Sequence, residues 1–217
     1  MYKRQGLTRG GRFAAVTNFR EPQQIPGRHS RGQLCLDFLA ARDTPSQFLS
    51  ALRPHAASYS GFNLLLWNGD QLMHFCNREM FARALGPGIY GISNGTINDS
   101  WPKVTNGRRA LAQSLAQYPR VPQLLDLLDE RSQPSDAELP DTGVGLVMER
   151  LLAPRFIHSA VYGTRSSSVV YYQRDGSVRL VERQFSADGT IGGQVGFEFT
   201  GTFNSVTETM PGASAAL

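Results

Sequence analysis

Apolar positions along this chain repeat with two periods, and the places where the period changes mark its elements. Residues 11–21 (GRFAAVTNFRE) form an apolar run that ends in Thr17, Asn18 and Arg20, the pattern of a largely buried strand with a polar exit. A loop, QQIPGRHSRG, follows. Ser30 then suits the N-cap of a helix with Leu34, Cys35, Phe38 and Leu39 on one stripe, and Thr44-Pro45 opens a second with Phe48, Leu49 and Leu52. FNLLLWNGDQLMHFCN joins two apolar runs at Asn68-Gly69, which predicts a β-hairpin with a type I′ turn.

Beyond the hairpin, residues 86–104 are rich in Gly, Ser, Asn and Pro and predict an ordered loop holding one short strand. Helices are expected at 108–118, from Leu111 and Leu115, and at 121–131, from Leu124, Leu125 and Leu128. After a polar connection at 130–143, residues 144–152 read as a short helix or extended run. AVYGTRSSSVVYYQ, SVRLVERQF and GQVGFEFT then read as three strands, the first two joined by an RDGS turn. From residue 201 the chain turns to small residues and Thr, the composition of a frayed tail. Strands and helices do not alternate as in a doubly wound parallel sheet, so the expected class is α+β, with helices covering antiparallel sheets.

Composition narrows this picture. At 217 residues and 41% apolar content the chain fits one domain with a core of its own. The net charge of +4 comes from dispersed arginines with no basic run, so no nucleic-acid partner is expected. No apolar run approaches the roughly 20 residues of a membrane-spanning helix. Cys35 and Cys76, without CxxC spacing, are expected to be free buried thiols in a reducing compartment, and the protein to be cytoplasmic. His29, His55, His74 and His158 lack metal-ligand spacing, and GPGIYG lacks the GxGxxG spacing of a nucleotide loop, so neither a metal nor a cofactor is expected. The opening MYKRQ holds Lys3, whereas the only other lysine is Lys103 against 20 arginines. Reverse-translated as GTG-TAT-AAG-AGA-CAG, it matches the end of a sequencing adapter, so residues 1–5 are expected to be a non-native leader; a stop codon directly upstream in the native locus would overturn this.

Six short polar blocks at the ends of apolar runs carry the candidate chemistry: TN (17–18), GFN (61–63), YGISN (90–94), WPK (101–103), LPDTG (139–143) and YGTRSSS (162–168). Their order and spacing resemble the NRDE proteins, whose animal members form the transport and Golgi organisation family, over residues 6–200. The resemblance implies the four-layer αββα sandwich of N-terminal nucleophile hydrolases. Members of that family open with Met-Cys and a strand hairpin carrying Asn-Arg-Asp-Glu, none of which is present here, so the chain is expected to be a pocket wall lacking its leading strands and its nucleophile.

In such enzymes the first side chain attacks a carbonyl while its own α-amine, of pKa about 8, acts as base. The resemblance implies that Asn18 and Asn94 donate to the oxyanion and that Arg165 lowers the thiol pKa. Thr17, Arg20, Tyr90, Trp101, Thr164 and Ser166 are the expected substrate contacts. Read without the resemblance, Asn18 and Asn94 cap turns, Arg165 is a solvated strand residue, Trp101 is a packed anchor and the Asp141 block is a turn or helix cap. The implied reaction is hydrolysis of a C–N amide bond in a small acylated substrate. The alternative is a carrier of haem or an acyl ligand, with Phe62, Trp67, Phe75, Tyr90 and Trp101 lining an apolar cleft.

Overall fold

The computed structural model describes residues 4–22 and 27–200. The expected tail at 201–217 lies outside the described residues, as do residues 1–3 of the expected leader. Two antiparallel sheets organise the chain, which confirms the α+β class.

The first sheet has five strands in sequence order: β1 (Gln5–Leu7), β2 (Phe13–Asn18), β3 (Phe62–Trp67), β4 (Leu72–Cys76) and β5 (Phe81–Ala84). Pairing places Ala14 opposite Leu66 and Val16 opposite Leu64, while Leu64 and Leu66 face Phe75 and Met73 on the next strand. This one face is apolar throughout. Helices α1 (Arg31–Ala40) and α2 (Pro45–Leu52) close over it with Leu34, Cys35, Phe38, Leu49 and Leu52, and each such side chain removed from water contributes about 1.5–3 kcal/mol. Thr44 and Gln47 complete a capping box at the start of α2. No basic residue lies in the last turn of α1, and Arg12 of the neighbouring loop substitutes: its guanidinium stacks 4.0 Å over Phe38 and donates to the carbonyls of Phe38 and Asp43.

The second sheet is β6 (Ser166–Tyr172), β7 (Ser177–Phe185) and β8 (Ile191–Thr200). Helices α3 (Pro102–Leu115) and α4 (Val121–Leu128) pack together, α4 lies on β6, and Arg183 of β7 donates to Asp126 of α4 at 2.8 Å. Contacts between the sheets include the Gln5 amide donating to the Ser168 hydroxyl at 2.6 Å and the Trp67 ring edge-on to Tyr172 at 5.9 Å. A short helix α5 (Leu146–Leu151) precedes β6.

Several expectations need correction. The hairpin of β3 and β4 forms, but its loop is four residues, 68–71, rather than a two-residue type I′ turn. Gly69 alone in it has positive φ, and the Asn68 side chain accepts from the amides of Asp70 and Gln71 instead. No strand forms between residues 86 and 101; the short strand is β5, just before. Helix α3 starts six residues earlier than expected because Pro102 occupies its first position, where the missing N–H costs nothing. Val104 is its buried residue, and Leu115 is 46% exposed. Apart from these corrections, Gln5 of the expected leader lies in β1, opposite Ala15 of β2.

Candidate functional site

The polar exit of β2 is where the blocks meet. Strand β2 ends at Asn18 because the loop at 91–95 takes over its hydrogen bonding: Asn94 donates from its carboxamide to the Asn18 carbonyl at 2.8 Å, and the Arg20 amide donates to the Asn94 carbonyl at 2.5 Å. Thr17 donates to the Ser93 carbonyl at 2.8 Å. Asn63, paired with Thr17 across the strands, donates to the Gly95 carbonyl at 2.9 Å. Its carboxamide oxygen therefore accepts from His74 Nε2 at 3.0 Å, which makes His74 the neutral Nε2–H tautomer, its Nδ1 without a partner among the described residues. Burial, and then the Arg83 charge, push His74 down to about 4. Gly95 leaves no room for a side chain, since a Cβ there would lie 1.9 Å from Asp99 and 2.9 Å from Trp101.

Two residues beyond Asn18, Arg20 forms a buried ion pair with Glu149 at 2.5 Å, the side chains 5% and 3% exposed. Glu149 is shared. Its other oxygen accepts from the Thr142 amide at 2.9 Å and the Thr142 hydroxyl at 2.5 Å. Gly143, at φ +79, packs on Pro22, where a Cβ would approach the ring to 2.5 Å. The Arg20 guanidinium lies 4.7 Å from the Trp101 ring, and Lys103 lies 5.9 Å from the same ring while donating to the Leu152 carbonyl at 2.7 Å. Burial, followed by the Arg20 charge, brings Lys103 down to about 8. The TNFRE, WPK and LPDTG segments thus share one cluster, lined by Arg20, Trp101, Lys103, Leu139, Pro140 and Leu152.

Among the expected site residues, Thr17, Asn18, Arg20, Asn94 and Trp101 come together. The remaining four stand elsewhere. Thr164 is tied to Ile157 through its hydroxyl and its amide, and exposed Ser166 opens β6. Tyr90, 37% exposed, donates to the Gly86 carbonyl at 3.2 Å. Arg165 is exposed at the mouth of β6, its carbonyl accepting from Phe185, and among the described residues its guanidinium makes no hydrogen bond or ion pair. Of the expected cleft aromatics, Phe62 and Phe75 are fully buried against each other in the first core, and Trp67 packs on Tyr172. Both cysteines are free and buried, as expected, and burial pushes Cys35 up to about 12 and raises Cys76, so neither supplies a thiolate.

Sequence reasoning missed Glu149. A lone carboxylate in LVMERL gives no local sign that it is 3% exposed with a partner 129 positions away.

The family model for Transport and Golgi organisation 2 matches residues 5–187. The chain belongs to this family. It is 30% identical over 193 residues to the Transport and Golgi organization 2 homolog of Mus musculus, a match covering 82% of this chain and 70% of the mouse protein. The Bos taurus and Homo sapiens homologues are each 29% identical with the same coverage. The six Transport and Golgi organisation 2 blocks read from the sequence all lie within the matched residues. Among the described residues no helix is long and apolar enough to cross a membrane, and no group of three or more His, Cys, Asp or Glu is placed to hold a metal.

Proposed function

We propose that this chain forms the substrate-facing wall of an N-terminal nucleophile amidohydrolase, which cleaves a C–N amide bond in a small acylated substrate. The observation that carries the reading is the state of Asn18: it is half-buried at the end of β2, and its carboxamide has no hydrogen-bond partner among the described residues. A carboxamide whose N–H groups are uncommitted can donate to an oxyanion. Asn94 is a positioning residue here, since its amide holds the Asn18 carbonyl. The proposed architecture is an αββα sandwich: α1 and α2 cover one sheet, α4 covers the other, and the Gln5–Ser168 and Trp67–Tyr172 contacts join the inner faces.

The proposal places the attacking residue outside the described residues, and Cys35 and Cys76, sealed in the core, do not supply it. Expression with the native upstream codons, followed by trapping of an acyl-enzyme with an activated amide or ester, tests the reading. Asn18→Ala is expected to lower kcat about 100-fold or more with little change in KM. If those codons place no Cys, Ser or Thr directly after the initiator, hydrolysis by this route is ruled out. The second reading is a carrier that holds a haem or acyl ligand without cutting it. What favours it is that the Asn94 carboxamide is committed through one of its two N–H groups to the Asn18 carbonyl, which holds it as a positioning group rather than leaving it free to turn toward an oxyanion. A saturable one-to-one spectral shift with haem that survives removal of the nucleophile would select it.

A further inference from the structure

His74 is fully buried in the middle of β4, between Leu65 of β3 and Arg83 of β5, and the amidohydrolase reading makes no use of it. Its Nε2–H decides which way round Asn63 stands. An amide oxygen can only accept, so with Oδ1 on the His74 ring at 3.0 Å the Asn63 Nδ2 hydrogens turn to the Gly95 carbonyl at 2.9 Å and the Thr17 hydroxyl at 3.5 Å. Thr17, accepting there, spends its own hydrogen on the Ser93 carbonyl. The loop carbonyls at 93 and 95 therefore depend on one amide orientation, while the Asn94 carbonyl between them takes the Arg20 amide.

The opposite tautomer undoes this arrangement. A proton on Nδ1 would find no acceptor among the described residues, and Nε2, now an acceptor, would draw the Asn63 Nδ2 to itself and set Oδ1 against the Gly95 carbonyl, oxygen to oxygen. The Thr17 hydroxyl would then turn to Asn63 and release Ser93. Asn63 is 2% exposed and Gly95 is buried, so bulk water does not relieve the conflict, and the fold selects the Nε2–H form. We propose that His74 is a positioning residue for Asn18: through Asn63 it locks the loop at 93–95 against β2, and so fixes the backbone from which the Asn18 carboxamide projects. Asn94 reaches the Asn18 carbonyl only from a loop held in this place. The use of Asn18 as an oxyanion donor rests on the amidohydrolase reading; the lock itself does not.

Two measurements on the full chain test the lock. With the four histidines labelled with ¹⁵N, His74, assigned by its loss in His74→Gln, is expected to show its proton on Nε2 and a bare Nδ1; a proton on Nδ1 would overturn the proposal. In hydrogen exchange, His74→Leu removes the donor and leaves the Asn63 oxygen unpaired, and the Arg20 amide is expected to exchange about tenfold faster or more relative to the Leu64 and Leu66 amides inside β3. His74→Gln, whose amide can donate to Asn63, should bring Arg20 back to within about threefold of the native rate. A packing role would be met by Leu as well as by Gln. Equal acceleration at all three amides, or Gln behaving like Leu, would therefore overturn the proposal. In the protein carrying its native upstream codons, His74→Leu is expected to lower kcat about tenfold with KM nearly unchanged, and His74→Gln to restore it. Absence of turnover in every form, with the exchange pattern intact, would end the amidohydrolase reading and leave the lock standing.

Discussion

Glu149 shows how one buried carboxylate organises distant segments. It binds Arg20 after β2 and Thr142 before α5, and α5 exposes Leu146, Val147 and Met148 while burying this charge. Removing it leaves Arg20 uncompensated in a site 5% exposed, so Glu149→Ala is expected to cost about 3–5 kcal/mol in urea-induced unfolding. Arg20→Met in the same background should recover part of that loss, since the orphaned charge is what costs most. His74 makes a pH prediction. Its folded pKa of about 4 lies below its ordinary 6.5, so between these values the unfolded chain binds the proton that the folded chain refuses. The contribution is fully present above about pH 6.5 and is lost as pH falls toward 4. His74→Gln, which removes the titrating group, should flatten this part of the stability profile by on the order of 2 kcal/mol; an unchanged slope would mean that other groups carry it.

At the scale of elements, legibility followed the range of the interactions involved. Helices α1 and α2 and the β3–β4 hairpin were readable because their apolar periods and caps lie within a few residues. Strands β1 and β5 span three and four residues, too few to show an alternation, and they exist through pairing with β2 and β4. The start of α3 was hidden because Pro102 reads equally as a breaker and as a first helical residue. For the candidate site, the residues on β2 and its covering loop were identifiable from their blocks, whereas the association of Arg20, Lys103 and Glu149 depends on contacts across more than 40 positions. Loop 91–99 also carries its own test. Gly95→Ala would push Asp99 and Trp101 aside, and it is expected to destabilise the chain by about 1–3 kcal/mol and to detach Asn94 from Asn18, read by amide exchange at Arg20.

For the molecule as a whole, the question is whether two sheets in limited contact behave as one unit. Trp67 reports the junction between them through Tyr172, and Trp101 reports the Arg20 cluster. Unfolding followed by fluorescence in Trp101→Phe and Trp67→Phe variants, each retaining one tryptophan, is expected to give coincident transitions; separated midpoints would mean the sheets unfold independently. The two native thiols extend this experiment without any engineered probe. Cys35 sits on the buried face of α1 and Cys76 ends β4, both out of reach of solvent. Alkylation of either under native conditions therefore has to wait for an opening fluctuation, so the pair acts as two internal clocks, one timing excursions of the helical cover and the other those of the central hairpin.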